Sequence, residues 1–104
     1  MEGLELVSFQ IISAVGTARS MYIEAIEEAK KGNIERAREL IKEGEEIFVD
    51  GHTAHAGLIQ QEASGQPVVM QLLLTHAEDQ LMSAEAFSII ANQFVDLYEK
   101  LYSK

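Results

Sequence analysis

Residues 72–84 read LLLTHAEDQLMSA. His76 interrupts an apolar helical pattern there, with Asp79 three residues on, Gln80 four and Ser83 seven. On an α-helix those offsets gather the four side chains on one face. A polar face on a hydrophobic helix costs free energy unless it is partnered or used. Imidazole is neutral and nucleophilic near pH 7. From the residues alone, two readings of His76 stand together. It is a core histidine satisfied by a nearby carboxylate, or it is a nucleophile that carries a group.

No Lys or Arg lies near His76 in sequence; the nearest are Lys42 and Lys100. An anionic group formed on the ring then needs hydrogen-bond donors, a metal, a partner, or basic groups that only folding brings close. Thr75, Gln80 and Ser83 are the candidate donors. Asp79 is either a solvated carboxylate or a group that orients His76 or ligates a cation. Near an oligomer axis, one Asp per chain would cluster carboxylates that bind a hard cation such as Mg²⁺ or take up protons. Glu78 is expected to face solvent. His52 and His55, with Asp50 or His76, offer an alternative transition-metal site, though a His-x-x-His pair on a helix is common by chance. Gln60, Gln61 and Glu62 are expected to line the groove of His76.

Three helical patterns must position these residues. The first spans residues 3–31, with Leu4, Val7, Ile11, Ala14, Ala18, Met21, Ala25 and Ile26 at helical spacing. Gly16 inside it suggests close packing. Gly32 suits the left-handed residue that ends a helix, and Asn33 the N-cap of the next. The short turn implies an antiparallel hairpin. The second pattern spans residues 34–64, with a stripe of Ile34, Ala37, Ile41, Phe48, His55, Leu58 and Ile59, and with Gly44, Gly51 and Gly57 allowing close backbone approach. A break at Ser64-Gly65-Gln66-Pro67 precedes the third, residues 68–102, with Pro67 near its first turn. Its start, VVMQLLL, is apolar on nearly every side and so should be buried on every side, which calls for other subunits. Phe87, Ile90, Phe94, Leu97 and Leu101 then form a one-sided stripe. The expected fold is all-α, an antiparallel bundle of three helices about 45 Å long.

The bulk numbers bound the function. The 104 residues make one domain, 1–104, and are 47% hydrophobic, which allows a packed core and argues against disorder. The net charge of −9 argues against nucleic acid or an anionic membrane and for a partner with a basic face. There are no cysteines, so disulfides, thiolate metal sites and Cys nucleophiles are excluded. The acidic start, MEGLELVSFQ, does not read as a secretory signal, and no apolar run spans a membrane. A cytoplasmic protein is expected.

The block LLLTHAEDQLMSA, together with GHTAHAGLIQQEASG before it, resembles the enzyme IIA component of the lactose/cellobiose (N,N′-diacetylchitobiose) family of the sugar phosphotransferase system. The resemblance covers essentially the whole chain, and the His-x-x-Asp-x-Leu-Met core is its most specific element. It implies a homotrimer of three-helix hairpins. It implies that His76 accepts a phosphoryl group, as a tele-phosphohistidine, from the carrier protein HPr and passes it to a cysteine of the cognate IIB protein. The IIC permease is then an indirect partner, coupling the next transfer to uptake of a β-linked disaccharide of cellobiose, chitobiose or lactose type. Gln80 and Ser83 become the phosphate-stabilising donors. Asp79, one per subunit, becomes the ligand of one Mg²⁺ on the trimer axis. Lactose-type members often read His-Ala-Gln-Asp-His-Leu-Met. This chain has Glu78 and Gln80 at the two variable places, which leans toward a cellobiose or aryl-β-glucoside type.

Overall fold

Buried alanines and glycines let three long helices approach closely in this chain. The computed structural model describes residues 3–103. Helix α1 is Gly3–Lys30, α2 is Ile34–Ala63 and α3 is Leu72–Tyr102, and no strand occurs among the described residues. Together they form a rod of 56 × 24 × 19 Å. None of the helices is long and apolar enough to cross a membrane.

Helix α1 ends in two backbone hydrogen bonds, Asn33 N to Glu28 O at 3.0 Å and Gly32 N to Ala29 O at 3.0 Å. They close a left-handed cap on Gly32, whose φ is +89°. Asn33 does not cap α2 with its side chain; its amide turns back and donates to Glu28 at 3.1 Å. Helix α2 ends in the same way around Gly65, with Gln66 N bonded to Gln61 O and Gly65 N to Glu62 O, both at 3.1 Å. The α1–α2 turn folds the pair antiparallel, and α3 returns parallel to α1. Tyr102 fixes that return: its hydroxyl donates to the Lys30 carbonyl at 2.6 Å, an acceptor left open at a helix end.

Helix α1 is the middle member and packs along both others, while α2 and α3 meet more sparingly. One core cluster joins Ala18, Tyr22, Ala25, Leu40, Ala91 and Val95; the other joins Ile11, Val15, Leu74, Ala77, Leu81 and Ala84. The close-approach expectation holds at two glycines. A Cβ on Gly51 would lie 2.6 Å from Val15 Cγ1, and one on Gly44 2.7 Å from the Tyr22 ring. It fails at Gly16 and Gly57, where a Cβ would meet nothing within 4 Å.

Three further expectations are corrected. The third helix begins at Leu72 and not at residue 68. Residues 66–71 are not helical and Gln71 is extended, because the residue before Pro67 is pushed out of the helical region and Val68-Val69 is β-branched. Pro67 is therefore outside the helix, and of VVMQLLL only the three leucines are helical. Ile59 is 57% exposed and is not core. The stripe of Ile90, Phe94, Leu97 and Leu101 lies 40–52% exposed, because Ala77, Ala84, Ala91 and Val95 form the inward face of α3.

The glycines yield a paired prediction. Gly51→Ala must displace Val15 and should destabilise the fold by about 1–3 kcal/mol in urea unfolding, as overpacked helix contacts do. Gly16→Ala, with open space around it, should stabilise by about 0.5–1 kcal/mol.

Candidate functional site

His76 stands in the second turn of α3, and its side chain is exposed. The reading as a core histidine tied to a carboxylate fits a different residue. His55 of α2 lies half-buried with Nε2 2.7 Å from Oε2 of Glu78 on α3. Glu78 is thus not simply solvated, as its position in the pattern suggested. It faces α2, about 200° around the helix from His76 at 100° per residue. The pair clamps α2 onto α3 and leaves the His76 face free.

The alternative metal site does not assemble. His55 is occupied by Glu78, and the ring of His52 lies 6.2 Å from that of Phe48. Among the described residues no three His, Asp or Glu side chains converge on a point that could hold a metal ion. Asp50 lines an open groove of about 780 Å³ between α1 and α2, with Leu6, Phe9, Ile47 and Thr53; none of the α3 candidates lines it. Gln61 donates to the carbonyl of Pro67 at 3.4 Å and so braces the α2–α3 connection, while Gln60 and Glu62 are exposed.

On α3 itself, Gln80 and Ser83 are half-buried, while His76 and Asp79 are exposed. Thr75 is spent on its own helix, where its hydroxyl donates to Gln71 O at 3.1 Å. Folding also brings a cation to this face. Arg19 of α1 donates from Nη1 to Ser83 Oγ at 3.3 Å, across 64 positions of sequence. Sequence reading allowed for a basic group delivered by folding but did not name Arg19. The available signal was its isolation: among the described residues the other Lys and Arg are Lys30, Lys31, Arg36, Arg38, Lys42 and Lys100, all toward the α1–α2 turn. Several are spent there, as where Arg38 bonds Asp96 at 3.1 Å and Glu99 at 2.9 Å.

Asp79 lies about 60° around α3 from His76, in line with Leu72 and Leu97. Those residues, with Met82 and Ile89, are 49–87% exposed, so the carboxylate sits within an uncovered apolar strip. One exposed carboxylate cannot hold a hard cation alone. Three from adjacent copies would supply an all-oxygen donor set suited to Mg²⁺, so the residue type and position fit such an ion.

The three long helices thus present an exposed histidine, two turns before an arginine-braced serine on the same helix, on an open surface and not in an enclosed pocket. The chain belongs to the lactose/cellobiose-specific IIA subunit family of the phosphotransferase system, whose model matches residues 6–99. It is 40% identical over 100 residues to the lichenan-specific phosphotransferase enzyme IIA component of Bacillus subtilis, covering 96% of this chain and 91% of that protein. It is 31% identical over 99 residues to the lactose-specific EIIA component of Streptococcus mutans, covering 95% of each. The crystal structure of the cellobiose-specific enzyme IIA from Bacillus anthracis superposes with a TM-score of 0.94 at 37% identity, covering 100% of this chain and 96% of that one. The IIA(Chitobiose)–HPr complex of the Escherichia coli N,N′-diacetylchitobiose branch contains a chain that matches with a TM-score of 0.83 at 27% identity, covering 98% and 99%.

The clamp is testable without any assay of function. A double-mutant cycle on His55→Ala and Glu78→Ala should give a coupling of about 0.5–1.5 kcal/mol in urea unfolding at neutral pH. Strict additivity of the two single changes would mean that the pair does not hold α2 to α3.

Proposed function

We propose that this IIA subunit is a phosphocarrier in which His76 accepts a phosphoryl group from HPr and passes it to the cognate IIB protein. The permease IIC then couples the onward transfer to uptake of a β-linked disaccharide of the cellobiose, chitobiose or lactose type. The observation that carries this reading is the exposure of His76 on a face free of the His55–Glu78 clamp. A ring that receives a group from one protein and delivers it to another must be open to both. The structural likeness to an IIA–HPr complex supports HPr as the donor.

The transfer makes modest covalent demands. His76 Nε2 supplies the electron pair that forms the new N–P bond. The N–P bond of the donor breaks, and its electron pair stays on the donor imidazole. Such a reaction needs in-line positioning and charge neutralisation above all. Gln80 and Ser83 are the donors on this chain nearest in helical register to the phosphoryl group. The acidic surface calls for a basic donor face and for docking that weakens as salt rises.

We further propose that the active form is a homotrimer. The uncovered apolar strip of α3, Leu72, Met82, Ile89 and Leu97, supports this, as does the exposed pair Val69 and Met70 beside it. Strips of this kind on a helix call for a partner surface. In such an assembly the three Asp79 carboxylates would share one Mg²⁺, which offsets their mutual repulsion. Cytoplasmic residence follows from the same reading.

Three measurements check these statements. Incubation with phosphorylated HPr should place one acid-labile, base-stable phosphoryl group per chain on wild-type protein and none on His76→Ala; undiminished labelling of that variant refutes the assignment. Sedimentation should give the mass of three 11.5 kDa chains. The wild-type melting temperature should fall on chelation, while Asp79→Asn should melt independently of chelator. A single-chain mass would defeat the trimer.

A further inference from the structure

The proposed phosphohistidine adds negative charge to a chain whose net charge is already −9, on a helix that carries Glu78 and Asp79 close by. Among the described residues, the cation that folding is seen to bring to this face is Arg19. We infer that Arg19 is the charge-compensating residue for the phosphoryl group on His76, held ready by Ser83 and moving toward the phosphoryl oxygens when the ring is loaded. This rests on the reading of His76 as acceptor.

The placement supports it in three ways. Ser83 lies seven residues beyond His76, which on an α-helix is nearly the same angular position and about 10 Å along the axis. The contact Arg19 Nη1 to Ser83 Oγ therefore sets the guanidinium over the stripe that carries the ring. Only that one hydrogen bond, at 3.3 Å, ties Arg19 among the described residues, and no carboxylate neutralises it. A guanidinium has five N–H donors, so four remain for phosphoryl oxygens, which it can engage in pairs. By contrast Arg36 and Arg38, far from His76, are already paired with Glu39, Asp96 and Glu99. Arg19 is half-buried at the seam where α1 meets α3, and its flexible stem reaches along that seam. The arginine makes and breaks no covalent bond. Its part is to lower the free energy of the loaded chain relative to the empty one, and of the transferring phosphoryl between donor and acceptor rings.

The test uses the full chain, phosphorylated HPr as donor, and Arg19→Lys beside Arg19→Gln. Lysine keeps the charge and gives up the planar fork. Glutamine keeps a donor for Ser83 and gives up the charge. The expected result is that Arg19→Gln lowers both the rate of His76 loading and the equilibrium loaded fraction by roughly tenfold or more, as loss of a single charge-stabilising donor does. Arg19→Lys should retain most of both. The phosphorus resonance of the loaded ring should move in Arg19→Gln and stay near the wild-type position in Arg19→Lys. Helicity and melting temperature would be read on each variant. Equal loading of Arg19→Gln and wild type overturns the inference, as does a slowed rate with an unchanged equilibrium. Retention by Gln with loss by Lys also overturns it, since that pattern marks a structural bond to Ser83. Absence of label on wild-type His76 would instead defeat the acceptor assignment itself, so the two failures are distinguishable.

Discussion

Helix α3 has apolar residues on more of its circumference than two neighbouring helices can cover. Its small inward residues, Ala77, Ala84 and Ala91, let α1 lie close along it, and all three are fully buried. The bulkier Leu72, Met82, Ile89 and Leu97 are thereby turned outward. His76 falls on the line between these two regions. Were α3 rotated inward by a fraction of a turn to bury the outer strip, the imidazole would be driven against α1 and lost to any partner. Burial of alanine in preference to leucine gives up transfer free energy. The backbone closeness it permits sets the orientation of α3, and that orientation exposes the histidine.

The position of α2 follows from a second set of close contacts, and it keeps α2 out of the site. Gly51 rests on Val15 and Gly44 on Tyr22, so α2 is seated on α1 and meets α3 more sparingly. At one margin Arg38 meets Asp96 and Glu99, and at the other His55 meets Glu78. Both links are partly exposed and individually weak. They select the side of α3 on which α2 lies more than they hold the bundle together. The side chain that folding is seen to add to the His76 face is Arg19, and it comes from α1.

Periodicity made three helices, two turns and the left-handed Gly32 legible, since each of these is a local matter. The His76, Asp79, Gln80 and Ser83 face was legible for the same reason, being four residues of one helix. The start of α3 was misplaced because an apolar run looks alike in a helix and in an extended segment; the β-branching of Val68 and Val69 and the restriction before Pro67 decided it. Ile90, Phe94 and Leu97 looked like core because large apolar residues at helical spacing ordinarily are. The true inward face was of alanine, whose burial depends on how near the next helix comes, which no single helix encodes. His55 with Glu78 and Arg19 with Ser83 join residues 23 and 64 positions apart. Neither pairing leaves a trace in local spacing.

The distribution of charge bears on how the proposed carrier would work with two partners in turn. Its described cations crowd toward the α1–α2 turn, and the His76 end is acidic apart from Arg19. A basic partner approaching this rod is drawn to the His76 end, where Arg19 is the one described cation among the carboxylates, more than to the turn end, where Lys and Arg are interleaved with Glu and Asp, at distances within a Debye length. The same acidity would make a dianionic group on His76 unwelcome there without compensation. A site that stabilised the group strongly would accept it readily and release it poorly. On the proposed reading, a single arginine drawn from a neutral hydroxyl, and not from a carboxylate that would hold it back, would give intermediate stabilisation: enough to load the ring, and little enough that a second basic partner could take the group away.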